Sequence, residues 1–367
     1  MIVRMVGTAL VALIGFLLFW PTPVDPVAWD APTSAGYTGA YAPNTALASL
    51  ERISLDGLHG PEDVAAKEEG GGLFLYTSSQ EGDILKIDPH TNAVVPFATT
   101  GGVPLGMEFD AGGNLIVADA FRGLLSIAED GTVGVLTDEV DGTPILYADD
   151  LDLGPDGVIY FSDASTKFGA EASGATLQGA VYEITEQGAT GRVLAYDPAT
   201  GLTSVIADGL SFANGIAVEP GGQSILVNET GKYRVLRIYL SGPRLGQIEP
   251  VLSELPGFPD NINRGPLLAD GTPTYLLGLF GPRVPILDSL DRYPFARKIL
   301  ARLPNWVQPA PVAYGLVLQF TADGRVIRTW QDPGGGYPAT TGGLVPGDGY
   351  LYVTSLEADA LARVPYP

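Results

Sequence analysis

The sequence predicts an all-β protein, a six-bladed β-propeller, on three observations. Short stretches of alternating apolar and polar residues, separated by turn residues, recur along most of the chain. Similar strand pairs return about every 43 to 65 residues, the spacing of four-stranded blades with loop insertions. The 48 glycines and 30 prolines among 367 residues suit the many tight turns of such a fold.

Composition limits the kinds of function. The chain has no cysteine and only two histidines, His59 and His90, which excludes disulfides and thiolate metal sites and argues against a His-rich zinc site. Its formal charge of −22 argues against nucleic acid as a partner, because phosphate binding needs a basic surface. An acidic surface attracts cations, Ca²⁺ included.

The N-terminal segment predicts a hydrophobic helix. Met5–Trp20 contains no charged residue, Arg4 precedes it, and Pro21 and Pro23 end it. We interpret residues 1–22 as a signal-anchor with the propeller on the extracytoplasmic side of the membrane. A cleaved signal peptide, and hence a secreted protein, is the alternative. Residues 23–45 are predicted to be a linker that crosses the propeller surface.

Residues 46–367 are assigned to the propeller. Leu146–Ser165 shows the repeating unit, a strand, a Gly-Pro-Asp-Gly turn and a second strand. Leu47–Leu55 has no blade of its own and is predicted to close the ring as the outer strand of blade six. Gly179–Thr185 is predicted to be a strand of blade three. Residues 284–307 have helical spacing on either side of Pro294 and predict a helical insertion in blade five.

Polar side chains stand where successive blades begin. In a propeller, the loops that enter the inner strands converge at one end of the central channel, so these side chains are expected to meet. The residues are Glu62, Asp63, Asp149, Asp150, Asn214, Asp260 and Asn261. Five carboxylates without a cation would repel one another and lose solvation unless a bound cation neutralised them. Oxygen ligands favour Ca²⁺, with Mg²⁺ or Mn²⁺ as alternatives.

Four motifs in this order give a specific resemblance. They are GPED (Gly60–Asp63), LYADDL (Leu146–Leu151), FANGIAV (Phe212–Val218) and PGFPDNI (Pro256–Ile262). Over residues 45–367 the chain resembles the strictosidine-synthase-like propellers and, more distantly, the paraoxonases and gluconolactonases. The resemblance implies a catalytic Ca²⁺ held by Glu62, Asp149, Asn214, Asp260 and Asn261. It also implies a second, structural Ca²⁺ near Asp63 and Asp150.

The chain departs from that resemblance at three positions. Relatives usually have Asn where Asp149 stands, so this site carries an additional carboxylate. Leu105 matches the first residue of the paraoxonase histidine pair, so that pair is absent. Gly342 is near the place where strictosidine synthase has its catalytic glutamate, which argues against Pictet–Spengler condensation.

The remaining chemistry is metal-assisted hydrolysis of an ester or lactone, of the arylesterase or lactonase type. Asp260 is the predicted general base or nucleophile, with Asp149 as the second choice. The predicted substrate pocket consists of Tyr147, Phe212, Phe258 and Phe280, with His59 at its mouth. A non-catalytic, calcium-stabilised binding propeller is the main alternative, and a strictosidine-synthase-type lyase is third. The sequence leaves the oligomeric state open.

Overall fold

The computed structural model describes residues 2–304, 306–309 and 312–367. Blade one contains β2 (Val64–Glu69), β3 (Gly72–Ser78), β4 (Asp83–Asp88) and β5 (Ala93–Thr99). Blade two contains β6 (Pro104–Phe109), β7 (Leu115–Asp119), β8 (Gly123–Ile127) and β9 (Val133–Thr137). A short hairpin of β10 (Glu139–Val140) and β11 (Thr143–Pro144) follows. Blade three contains β12 (Ala148–Leu153), β13 (Ile159–Asp163), β14 (Gly191–Asp197) and β15 (Leu202–Leu210).

The other three blades complete the ring. Blade four contains β16 (Ala213–Val218), β17 (Ser224–Glu229), β18 (Arg234–Tyr239) and β19 (Ile248–Leu252). Blade five contains β20 (Gly257–Gly265), β21 (Thr274–Pro282), β22 (Gly315–Thr321) and β23 (Val326–Asp332). Blade six contains β24 (Thr340–Leu344), β25 (Tyr350–Ser355), β26 (Ala360–Pro365) and β1 (Glu51–Ser54). The predicted six-bladed propeller is confirmed.

The ring is closed by a strand from the beginning of the propeller. β1 pairs antiparallel with β26, with Ile53 opposite Leu361, and forms the outer edge of blade six. The predicted outer strand of blade six is therefore confirmed, over Glu51–Ser54 of the Leu47–Leu55 segment; residues 46–49 form a turn. Because the first strand of the ring pairs with the last, opening it would expose the edge of blade six and uncover Ile53, which is 1% exposed.

Five α-helices accompany the strands of the described residues. α1 (Ile2–Phe19) precedes the ring, and α2 (Ala170–Ser173) and α3 (Thr176–Glu186) lie between β13 and β14. α4 (Pro285–Ser289) and α5 (Pro294–Leu300) lie between β21 and β22. Within the ranges described, no helix combines the length and the apolar character needed to cross a membrane. The signal-anchor stays a prediction.

The strand predicted at Gly179–Thr185 is wrong, because these residues belong to α3. Read from Thr176, the segment has apolar residues at Leu177, Ala180, Val181 and Ile184, which is helical spacing. The shorter window beginning at Gly179 hides this period. The correction matters for function, because α3 covers one end of the central channel.

The segment after α1 is packed onto the propeller. Val24 is 1% exposed, and the Val27 N–H donates to the Glu186 carbonyl at the end of α3 (2.9 Å). The Trp29 N–H donates to the carbonyl of Asp291, between α4 and α5 (3.1 Å). This short stretch therefore bridges α3 and the segment that contains α4 and α5.

Candidate functional site: carboxylates at the end of the central channel

The inner strands turn their polar residues toward the channel at β-bulges. The pairing register shifts between Ala148 and Leu151 in β12, between Ala213 and Ile216 in β16, and between Pro259 and Ile262 in β20. β6 and β24 have the same irregularity, between Pro104 and Met107 and between Thr340 and Gly343. A bulge redirects a side chain away from the regular alternation of a strand. The bulges contain Asp149, Asp150, Asn214, Asp260 and Asn261.

Some bulges depend on glycine because neighbouring inner strands approach too closely for a side chain. A Cβ at Gly215 would lie 2.5 Å from the Asp260 carbonyl oxygen and 2.6 Å from the Ile262 nitrogen. A Cβ at Gly106 would lie 2.3 Å from Oδ1 of Asp150. These glycines let the polar side chains of the next blades reach the channel.

The channel residues are linked by hydrogen bonds between blades. Asn214 Nδ2 donates to Asp260 Oδ1 (2.6 Å), joining β16 to β20. Asn261 Nδ2 donates to Glu62 Oε1 (2.8 Å), joining β20 to the loop before β2. All four side chains belong to residues that are at most 8% exposed. Residues far apart in sequence therefore form one buried polar group.

Several oxygens of this group have no hydrogen-bond partner. They are Glu62 Oε2, Asp149 Oδ2, Asn214 Oδ1 and Asn261 Oδ1. Burying an oxygen without a donor costs free energy, about 1–3 kcal/mol for each group. The group is therefore an incomplete polar site that a cation, a proton or a polar ligand would complete.

Burial and mutual repulsion disfavour the ionised carboxylates. Burial raises the pKa of Glu62 well above its ordinary value, and the charges of Asp260 and Asp149 raise it further. The pKa of Asp149 is raised by burial and by Asp260. Burial raises the pKa of Asp260 to about 7, although the hydrogen bond from Asn214 lowers it. Such shifts mark groups that gain from a nearby positive charge.

The oxygens of these residues are of the kind that bind divalent cations. In their present arrangement, however, no three Asp, Glu or His side chains of the described residues are placed to hold a metal ion together. In this arrangement the amide nitrogens of Asn214 and Asn261 face carboxylates and leave both amide oxygens free. The donor set of three carboxylates and two amides consists of the oxygen ligands that Ca²⁺ takes in proteins.

A cavity opens above the carboxylates. It has a volume of about 1080 Å³, including the open space at its mouth, and Glu62, Asp149 and Asp260 line it. Most of the wall is apolar and includes all four aromatic side chains predicted for the pocket: Tyr147, Phe212, Phe258 and Phe280. Tyr147 and Phe212 meet edge to face, with ring centroids 5.3 Å apart. The carboxylates thus form the polar end of a largely apolar cavity.

The backbone at the cavity wall is strained. Phe212 has a φ of +59°, in the left-handed region that a bulky side chain rarely adopts. Its neighbour Ser211 donates its backbone N–H to Glu229 Oε1 (2.9 Å), and the Phe212 carbonyl accepts from Thr230 (3.1 Å). These bonds hold the turn that presents the Phe212 ring to the cavity.

The remaining predicted residues lie elsewhere. His59 does not line the cavity; its side chain is 54% exposed, and its Nδ1 is hydrogen-bonded to the Glu81 carboxylate. Asp63 accepts from the Met107 N–H (2.9 Å), and Asp150 accepts from the Ile216 N–H (2.8 Å). These two carboxylates connect the inner strands of neighbouring blades, and their oxygens are absent from the set that lacks partners.

Comparison with known proteins agrees with the motifs. The family model described as "Strictosidine synthase" matches residues 149–243, and "Strictosidine synthase-like, N-terminal" matches residues 39–87. Protein STRICTOSIDINE SYNTHASE-LIKE 6 of Arabidopsis thaliana is 32% identical over 96% of this chain and 92% of its own length. The chain belongs to the strictosidine synthase-like family. Adipocyte plasma membrane-associated protein of Danio rerio is 30% identical over 99% of this chain and 89% of its own length.

Solved structures show the same fold as this strictosidine synthase-like protein. A gluconolactonase of Xanthomonas campestris aligns with a TM-score of 0.61 at 18% identity, covering 95% of this chain and 99% of the other. Regucalcin of Agrobacterium tumefaciens, described as a calcium-binding protein, aligns with a TM-score of 0.56 at 14% identity, covering 85% and 92%. At these identities the likeness concerns the fold alone.

Sequence reasoning missed part of the cavity wall. Leu177, Val181 and Ile184 of α3 line the cavity, as does Leu300 at the end of α5. The helical period of α3 was available in the sequence and would have identified the helix. Its position over the channel had no local signal, because it depends on contacts with the segment after α1 and with α5.

Proposed function

We propose that this protein is a calcium-dependent hydrolase of carboxylic esters or lactones, of the arylesterase or lactonase type. One observation carries the proposal: three buried carboxylates and the Asn214 amide form the polar end of an apolar cavity, Asn261 is hydrogen-bonded to Glu62, and four oxygens of the group are partnerless. A buried polar group of this kind is costly, and perturbed carboxylates in a cleft are typical of a functional site.

The residues that would hold the ion are Glu62, Asp149, Asn214, Asp260 and Asn261, with Ca²⁺ favoured over Mg²⁺ or Mn²⁺ by the number of oxygens. When bound, the ion would supply Lewis-acid polarisation of the substrate carbonyl. The solved structures of a gluconolactonase and a calcium-binding regucalcin share the fold and support this choice by analogy.

The chain's own residues supply the other requirements. Asp260 has one oxygen, Oδ1, engaged by Asn214, which leaves Oδ2 to take a proton from an attacking water molecule. Asp149, with Oδ2 partnerless, is the second candidate for this role. Hydrolysis forms a bond from the water oxygen to the carbonyl carbon and breaks the bond to the alcohol oxygen. Tyr147 and Phe212 line the cavity with these carboxylates and give it apolar walls that would favour an apolar substrate over water.

The leaving group determines which esters suit the site. Within the described residues, no His, Lys or Arg side chain lines the cavity, so no cationic group is available there to protonate a departing alkoxide. A phenolate is a weak enough base to leave without this help, which favours aryl esters. The more basic alkoxide of a lactone would take the proton that Asp260 accepted from the water molecule, so lactone hydrolysis depends on Asp260 as both base and acid.

A non-catalytic, calcium-stabilised binding propeller is the second candidate. It is favoured by Leu105, which lines the cavity at the position matching a paraoxonase histidine and offers no proton-transfer group there. Both candidates share the same oxygens, so only turnover separates them.

The test is hydrolysis of phenyl acetate and a panel of lactones by the full chain in mild detergent, with Ca²⁺ and with EDTA. Asp260→Asn is the test variant, and Asp270→Asn, on an exposed turn, is the matched control. Activity lost with EDTA, restored by Ca²⁺, absent in D260N and retained in D270N supports the proposal. Calcium binding without turnover of any substrate by the unsubstituted chain favours the binding propeller instead.

The cellular location and membrane topology of the protein are a separate proposal. The apolar N-terminal helix and Arg4 before its charge-free run support a signal-anchor with the propeller on the extracytoplasmic side. The test uses sealed inside-out membrane vesicles, whose cytoplasmic face is outward. The propeller is expected to be protected from added protease until the vesicles are opened. Digestion of the propeller while the vesicles are sealed would contradict the proposal.

A further inference from the structure

Three helices cover the cavity, and two of them have little buried surface of their own. We call α3, α4 and α5 the cover. Leu177 and Val181 of α3, Leu287 of α4 and Leu300 of α5 line the cavity. α4 has no buried residue, and the one buried residue of α5 is Arg297. A helix is normally held on a domain by a buried apolar face, so α4 and α5 need another attachment.

The attachment is the stretch of residues 24–32, which we call the clasp. Every second backbone N–H of the clasp donates to the cover, and the donors are Asp25, Val27, Trp29 and Ala31. The first two donate to Glu186 at the end of α3, to its carboxylate (2.6 Å) and to its carbonyl oxygen (2.9 Å). The other two donate to Asp291, between α4 and α5, to its carbonyl oxygen (3.1 Å) and to its carboxylate (3.1 Å). One edge of an extended chain thus joins both parts of the cover.

Side chains of α5 strengthen this attachment. Its two polar side chains are Arg297 and Lys298, and within the described residues their hydrogen bonds go to the clasp alone. Arg297, which is 2% exposed, donates through Nη2 to the Val27 carbonyl. Lys298 Nζ donates to Asp25 Oδ1 (2.7 Å). Displacing the clasp would leave the buried guanidinium of Arg297 without this acceptor, which costs free energy. The position of α5 therefore depends on the clasp.

We propose that the clasp holds the cover closed and so limits, by size, the molecules that reach Glu62, Asp149 and Asp260. Glu186 and Asp291 are its two positioning residues, and neither of them lines the cavity. The proposal concerns access to the cavity and needs neither a bound cation nor turnover. Its consequence, that bulky esters are excluded, rests on the proposed function.

The absence of cysteine from the chain permits a direct test. Leu105, which lines the cavity from blade two, is replaced by a single cysteine in the full chain in mild detergent. Its rates of reaction with N-ethylmaleimide and with the larger N-(1-pyrenyl)maleimide are then compared.

Two variants weaken the clasp, and a third is the control. Val27→Pro removes the donor to the Glu186 carbonyl, and Asp291→Ala removes the carboxylate that accepts from Ala31. Ala28→Pro is the matched control, because residue 28 is exposed and its N–H has no acceptor among the described residues.

The measured quantity is the ratio of the pyrenyl to the ethyl labelling rate. It should rise about fivefold in V27P and in D291A, which each lose one hydrogen bond, and stay unchanged in A28P. Circular dichroism separates opening of the cover from unfolding. An unchanged ratio in a clasp variant that stays folded overturns the proposal, as does an equal rise in A28P; if V27P does not fold, D291A decides. Hydrolysis of phenyl acetate by the unsubstituted chain tests the proposed function separately.

Discussion

Gly215→Ala tests whether the close approach of inner strands positions the site. Gly215 lies in the bulge of β16, and a Cβ there would lie 2.5 Å from both Asn228 Nδ2 and the Asp260 carbonyl oxygen. Ordinary contact for a Cβ begins near 3.4 Å. The strand β20 must therefore move by roughly 1 Å, taking Asp260 with it.

The magnitude follows from three contributions. Overpacking against backbone belongs to the upper part of the usual range, about 3 kcal/mol. Loss of the hydrogen bond from Asn228 Nδ2 to the Asp260 carbonyl adds about 1 kcal/mol. Alanine reduces the entropy of the unfolded chain relative to glycine, which offsets about 0.4–1 kcal/mol. We expect the free energy of unfolding to fall by about 3 kcal/mol.

Urea denaturation followed by circular dichroism measures the change, and Gly134→Ala is the control. Gly134 is exposed in β9, and its nearest atom to a new Cβ is the Ser126 carbonyl oxygen at 3.9 Å. This variant is expected to be as stable as the unsubstituted protein or more stable by about 0.4–1 kcal/mol. If G215A and G134A unfold within about 0.5 kcal/mol of each other, the bulge glycine does not determine strand spacing and the reasoning is refuted.

Two further predictions concern charged groups outside the candidate metal site. Arg264 Nη2 donates to both oxygens of Asp152, which is 7% exposed. Arg264→Gln should therefore lower the free energy of unfolding by about 1–3 kcal/mol, measured by urea denaturation. An unchanged urea midpoint would show that the Asp152 carboxylate does not need this cation. Burial lowers the pKa of Lys232 to about 8, with Glu229, Arg234, Arg297 and Asp30 around it and its Nζ 4.3 Å from the Trp29 ring centroid. The unfolded chain keeps this proton up to the ordinary pKa of 10.5, so the free energy of unfolding should rise as pH increases from about 8 to 10.5. Lys232→Met should remove this part of the pH dependence of the melting temperature. Equal pH dependence in both proteins would contradict the lowered pKa of Lys232.

The propeller was predictable because its signal is periodic. The alternation of Leu146–Ser165, repeated at blade spacing, predicts strand pairs, and the structure places β12 and β13 there. The outer strand of blade six was predictable by elimination, since Leu47–Leu55 had no other partner. Both inferences use patterns in the sequence alone and need no knowledge of tertiary contacts.

The bulges were not predictable from the same patterns. In the sequence, Asp149 and Asp150 are a polar pair that leads into the first apolar run, whereas in the structure both lie within β12, and the register shift between Ala148 and Leu151 gives them different partners. Asp149 lines the cavity, and Asp150 accepts from the Ile216 N–H of the next blade. Distinguishing these two fates requires the position of β16, which is far away in sequence. The aromatic wall depends in the same way on the strained turn at Phe212.

The unequal use of the bulges argues that the buried charge serves a function. In blade two the bulge contains Leu105, an apolar residue that is 2% exposed and lines the cavity. An inner-strand bulge of this ring thus accommodates a side chain that needs neither proton nor cation. Blades three and five instead retain Asp149 and Asp260, whose pKa values are raised by burial. Such groups lower the stability of the fold wherever they stay charged without a partner, and groups of that kind occur chiefly where binding or catalysis requires them.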